Sequence, residues 1–245
     1  MRVLWLVLAL LSGCRSTKAS EPLRVAAASD LTVAFSEFAE TFRKSSQREV
    51  TLTFGSTGLL AKQLEQGAPF DVFAAADVAS IDALISRGVC VEGTKSVFAR
   101  GRLVVWTAPG ITAPASVEGL TDERFKRIAL ANVEHAPYGR AGKAALEAAG
   151  ILSAVNKRLV FGESVSHALQ MVRSGNAEAG LIARSLVTEL HDGQMLLVDS
   201  SLHPPIDQAV VVCGTDPSRQ PLAKQFLEAL GHETALFSRF GFEAQ

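Results

Sequence analysis

From residue 23 onward, short apolar runs alternate with longer segments whose apolar positions recur every three or four residues. "LRVAAA" (23–28) predicts a strand, and "LTVAFSEFAETFRKSS" predicts an amphipathic helix with Leu31, Phe35, Phe38 and Phe42 on one face. "EVTLTF" is a second strand, "GSTGLLAKQLEQG" a turn and helix, and "FDVFAAA" (70–76) a third strand. "VASIDALISRG" follows as a helix ending at Gly88, and "RLVVWTA" (102–108) as a strong fourth strand. The rhythm then restarts: strand "RIALANV", helix "GRAGKAALEAAG" closed by Gly150, strand "RLVFG", helix "VSHALQMVRSG", strand "AGLIA", strand "AVVVCG", and one terminal helix over "SRQPLAKQFLEALGHETALFSRFGF". Such alternation predicts an α/β fold with mostly parallel sheet covered by helices on both faces.

In open α/β sheets ligands bind where strand ends meet helix starts, because a first helical turn offers unpaired N–H groups and partial positive charge. Ser29 follows the first strand and Ser56 and Thr57 the second. The "HAPYG" loop with Tyr138 follows "RIALANV", and Val165 follows "RLVFG". Four such turns from two halves, converging, would hold an oxyanion. N-capping is the other reading of Ser29 and Thr57. "GSTG" lacks the lysine of a phosphate-binding loop and is no nucleophile elbow, and His135 reads as a loop or surface histidine.

Composition narrows the ligand class. The chain has 245 residues, 48% of them hydrophobic, enough for one large or two modest domains, and 24 Lys+Arg against 25 Asp+Glu leave a net charge of -1. There is no basic excess for a nucleic-acid partner. The five histidines, at 135, 167, 191, 203 and 232, show no motif tying a general base to Ser29 or Ser56, which argues against an exported hydrolase.

The N-terminus points to export. Arg2 precedes an apolar run over 3–11, too short to span a bilayer and suited to a signal peptide. "LSGC" resembles a bacterial lipobox, with Cys14 lipidated and "RSTKASEP" as a tether; an ordinary secretory signal is the alternative. Exported Cys90 and Cys213 can form a disulfide or stay buried free thiols. They do not read as a metal site.

"AAASDL", "FGSTGLLAKQLEQGAPFDVFAAAD", "ANVEHAPYGRAG" and "SGNAEAGLIARS", in this order and spacing, resemble the periplasmic molybdate-binding proteins, the substrate-binding components of molybdate ABC transporters. The resemblance spans roughly 23–242. It implies a type II periplasmic-binding-protein fold: lobe I over 23–104 and 208–245, lobe II over 105–207, after a signal peptide (1–13) and tether (14–22). The lobes would close by a hinge near 102–106 and 205–211. It further implies that Ser29 donates through hydroxyl and amide, Thr57 through hydroxyl with Ser56 the less favoured substitute, and Tyr138 and Val165 through backbone N–H. Ala183 departs from the pattern, standing where some members carry a tyrosine hydroxyl; the Tyr138 hydroxyl is a candidate replacement. Asp30, a helix-start residue, is expected to point away from a dianion. The implied function is extracytoplasmic binding of molybdate, with tungstate, by a monomer in the periplasm or at the cell surface, for delivery to a membrane permease. No cofactor or resident metal ion is implied. Sulfate or another oxyanion, and a surface lipoprotein without transport function, are the alternatives.

Overall fold

The computed structural model describes residues 21–214 and 216–244. The expected signal peptide, the Cys14 lipidation site and most of the tether lie outside them.

The chain builds two five-stranded sheets. The first half runs β1 (Leu23–Ala28), a 3-10 turn (Ser29–Leu31), α1 (Thr32–Ser46), β2 (Val50–Gly55), α2 (Thr57–Glu65), β3 (Val72–Ala75), α3 (Val78–Ser86) and β4 (Ser96–Gly101). The second runs β5 (Leu103–Thr107), β6 (Ile128–Ala131), α4 (Pro137–Ala148), α5 (Leu152–Val155), β7 (Leu159–Gly162), α6 (Val165–Arg173), β8 (Ala179–Ala183) and β9 (Gln194–Leu197). β10 (Ile206–Val212), α7 (Gln220–Gly231) and α8 (Thr234–Arg239) return to the first lobe. Sheet order is β2-β1-β3-β10-β4 in one lobe and β7-β6-β8-β5-β9 in the other.

Each sheet is mixed rather than mostly parallel. β1 pairs in parallel with β2 and β3, and β6 with β7 and β8, as the βαβ rhythm requires. The strands arriving from the opposite lobe, β10 and β5, pair antiparallel with both their neighbours. The sheets change over at Arg102 and again between Leu197 and Ile206, so Leu103 and Val104 belong to the second sheet and Ile206 and Asp207 to the first.

Two strands have no counterpart in the apolar pattern. β4 and β9 are edge strands, each paired on one side only, and their outward positions are polar or exposed. An edge strand half open to water does not need the apolar run that marks a buried one. The single terminal helix also divides, α7 ending at Gly231 and α8 starting at Thr234. Its second part packs Phe237 on Phe35, Phe98 and Phe242, and Glu243 exchanges backbone hydrogen bonds with Arg100 of β4.

Lobe I has a second cross-link at its far end. Cys90 and Cys213 form a disulfide beside the buried Asp71, which bonds Arg24 and Arg219 and so ties α7 to β1 and β3. Burial pushes the Asp71 carboxyl up, but hydrogen bonds from the two guanidinium groups outweigh it and hold the pKa at about 2.

Candidate functional site

Four chain turns meet between the lobes. From lobe I come the Ser29–Leu31 turn after β1 and the start of α2 after β2; from lobe II come the starts of α4 and α6. Neither Ser56 before α2 nor Ala136 before α4 makes a side-chain cap, and Pro137 has no N–H, so the first-turn amides of both helices have no intrahelical partner. At α6 the Ser164 hydroxyl caps the His167 amide, leaving Val165 and Ser166 at the tip. α4 can press its first turn against the end of β6 because residue 139 is glycine: a Cβ there would collide with the backbone oxygens of Ala131 and Asn132.

These turns enclose a tight cavity of about 10 Å³. Ser29, Ser56, Thr57, Tyr138 and Val165 all line it, with Asp30 and the small residues Ala28, Gly55, Ala76 and Ala136. Pockets for drug-sized ligands run about 300–1,000 Å³, so this space leaves room for no more than a ligand of a few atoms. Among the described residues no lysine or arginine lines it. Its positive potential comes from three helix N-termini and from hydroxyl hydrogens.

The hydroxyls can be sorted by where their single hydrogen goes. Thr57 Oγ1 accepts from the Ala76 amide at 3.2 Å, and Ser29 Oγ accepts from the Ser166 amide at 3.4 Å. Both therefore keep their hydrogens for a ligand. The Ser56 hydroxyl donates instead across the cleft to the His135 carbonyl at 2.7 Å, with the ring Nδ1 of the same histidine 2.8 Å away. Thr57 rather than Ser56 is thus the available hydroxyl donor, and His135 is a half-exposed loop histidine that bonds across the cleft.

Further contacts hold the lobes together. The Gly58 amide donates to the His135 carbonyl at 2.9 Å, Ser166 Oγ to the Ser29 carbonyl at 2.9 Å, Ser185 Oγ to the Asp30 carbonyl at 2.7 Å, and Arg140 pairs with Asp77 at 2.6 Å on the rim. Ser166 and Ser185 carry no signal in a single sequence; only their places, one residue into α6 and two beyond β8, could have suggested them. Ala183 is buried and does not line the cavity, and the Ser185 hydroxyl is spent on Asp30.

Tyr138 corrects one expectation. Its ring runs back to the crossing strands, where the hydroxyl abuts Gly101 and a Cβ at that position would overlap it. Gly101 is not part of the cavity wall, so the hydroxyl is not placed to stand in for the tyrosine missing at Ala183. Asp30 is part of the cavity wall and is not an exposed helix-start carboxylate. α1 begins only at Thr32, and the preceding 3-10 turn rotates Asp30 inward to 1% exposure, toward Tyr138 and Gln208. Desolvation raises its pKa to about 7, although its own backbone amide, Tyr138 and Gln208 each pull it back. Tyr138 is itself pushed well above the ordinary tyrosine range by burial and by Asp30, and stays a neutral phenol.

Comparison with known proteins gives the family of the chain. The chain is 34% identical to the molybdate-binding protein ModA of Azotobacter vinelandii over 98% of its own length and 97% of that protein's. It is 31% identical to the molybdate-binding protein ModA of Rhodobacter capsulatus over 94% and 90% of the two chains. Among solved structures, the Azotobacter vinelandii periplasmic molybdate-binding protein superposes with a TM-score of 0.86 at 27% identity, covering 91% of this chain and 99% of that one. Residues 23–243 match the family model of bacterial extracellular solute-binding proteins, and the chain belongs to that family.

Proposed function

We propose that this protein binds molybdate, and with it tungstate, in the cavity between its lobes and delivers it to the permease of an ABC transporter. The observation that carries the reading is a cavity for one small ligand, walled by hydroxyl and amide donors at three helix N-termini, with no basic side chain among the described residues. Molybdate is a tetrahedral dianion at neutral pH and offers only acceptor oxygens, so neutral donors suit every edge of it. Ser29 and Thr57 donate O–H from lobe I, and the Tyr138 and Val165 amides donate from lobe II. No residue touches the metal itself, which is cargo inside its oxyanion, and no cofactor is needed.

Donors divided between lobes make the anion part of the closure. In an opened molecule each half presents two turns to water; bringing them together completes the shell and excludes solvent, which strengthens each charge-assisted bond. The closed surface, with the Arg140–Asp77 pair on its rim, is what a permease would recognise. We place the protein outside the cytoplasmic membrane as a monomer held by lipidated Cys14. Labelled lipid should enter the wild type and not Cys14→Ala.

The reading is tested by incubating the purified chain with molybdate, removing free anion by gel filtration and measuring molybdenum. One molybdenum per chain supports it. Ser29→Ala combined with Thr57→Ala should return the ratio to near zero, and equal retention by that double variant would rule out the assigned cage.

A further inference from the structure

A buried polar cluster that anion binding as described does not use borders the cavity, with Asp30 and Tyr138 in its wall. Asp30 from lobe I, Tyr138 from lobe II and Gln208 from the crossing strand β10 turn toward one another, each 2% exposed or less. Asp30 Oδ2, Tyr138 Oη and Gln208 Oε1 each lack a partner in full hydrogen-bond geometry; the phenol hydrogen and the Gln208 amide hydrogens are the neighbouring donors that pull on the carboxyl, and no cation joins them. A proton on Asp30 adds a donor for Tyr138 Oη or Gln208 Oε1, acceptors that a carboxylate leaves unsatisfied.

No charged side chain among the described residues compensates a carboxylate here. Charged groups on the surrounding elements are engaged elsewhere: Arg140 of α4 with Asp77, Asp207 of β10 with Arg100, His167 of α6 with the Glu163 amide, Glu37 of α1 with Arg239, and Arg184 packs on Gly241. Ser166 and Ser185, the other cross-lobe side chains on this turn, are neutral and bond to its backbone. Ionised Asp30 would be a lone charge, next in sequence to a serine that binds a dianion.

We propose that Asp30 is the neutral acid in the closed, loaded protein, so that each oxyanion is taken up together with one proton from solvent. This rests on the anion-binding reading above. Burial, even after its hydrogen bonds pull it back, lifts the carboxyl to about 7, and the charge of a bound dianion acts in the same direction. Opening the cleft rehydrates Asp30 and lets its pKa fall toward the ordinary 3.8. A group whose pKa is raised on closure favours the closed state at low pH, and that contribution is lost as pH climbs through the closed-state value. Affinity therefore falls with rising pH.

The test is titration calorimetry of the intact chain with molybdate at pH 6, between the open- and closed-state values, in two buffers with different heats of ionisation. The wild type should take up about one proton per anion, and its affinity should fall by up to about tenfold per pH unit above the closed-state pKa. Asp30→Asn, neutral and of the same shape, should bind without proton uptake and with affinity constant from pH 7 to 9. Wild-type binding without proton uptake, or the same pH profile in both proteins, overturns the proton step and leaves the anion site standing. Absence of any binding by the wild type removes both.

Discussion

Replacing Gly58 by alanine would separate lobe closure from the folding of either lobe. Gly58 is the second residue of α2, and an added Cβ would stand 2.8 Å from the His135 carbonyl oxygen, 2.9 Å from its Cβ and 3.1 Å from its Cα, all on the opposite lobe. The obstruction is largely backbone, so a rotamer change cannot relieve it. Overpacking of this kind costs about 1–3 kcal/mol. Displacing His135 also lengthens or breaks the 2.9 Å bond from the Gly58 amide, worth about 0.5–1.5 kcal/mol. Together these come to about 1.5–4.5 kcal/mol, which acts on the closed state alone and weakens anion binding roughly 10- to 1,500-fold. In the separated lobe the same methyl meets no obstacle, and alanine favours the helix over glycine by up to about 1 kcal/mol. Calorimetry with molybdate, paired with thermal unfolding of the unliganded protein, reads both effects. Gly58→Ala should lose affinity with an unchanged or higher midpoint. Wild-type affinity in that variant would mean that the Gly58–His135 approach is not part of the bound state.

Three further outcomes follow from the same contacts. Ser29→Ala removes one hydroxyl donor to a charged ligand, worth about 1.5–3 kcal/mol, and should weaken molybdate binding by roughly 10- to 150-fold in the same titration. The Cys90–Cys213 disulfide closes a sequence separation of 123 residues; replacing both by serine should destabilise the fold by up to about 5 kcal/mol in denaturant unfolding, with molybdate affinity unchanged because the bond lies far from the cleft. Asp71, held at about 2 against an ordinary 3.8, contributes stability that is present above pH 4 and lost as pH falls toward 2. Its side chain is almost wholly buried, so about 2 kcal/mol is at stake, and acid unfolding of Asp71→Asn should lack that part of the pH dependence.

The parts of the site legible in the sequence are those that repeat a local rule. Ser29, Thr57 and Val165 each stand where an apolar run gives way to a helical period, and a strand end followed by a helix start is what directs amides and hydroxyls into the cleft. Tyr138 was legible as a position and not as a side chain: its amide lies at the tip of α4, while its ring reaches the crossing strands, a direction set by Gly101 from far along the chain. Asp30 was misleading for the same reason. Acidic residues near helix starts are common on surfaces, and nothing local shows that a 3-10 turn precedes α1 and carries this one into the interior. His135, Ser166 and Ser185 act only across the closed cleft. β4 and β9 escaped because edge strands need no continuous apolar run, and the residues at which the chain changes sheets therefore emerged only with the register of β10 and β5.

The central claim is that a cage of neutral donors selects a tetrahedral metal oxyanion. The measurement that tests it most directly is titration of the purified chain with molybdate, tungstate, sulfate and phosphate under one set of conditions. The account predicts tight one-to-one binding of molybdate and tungstate, with sulfate at least about a hundredfold weaker, a difference of about 2.7 kcal/mol. Equal affinity for sulfate, or no binding of either metal oxyanion, would contradict it.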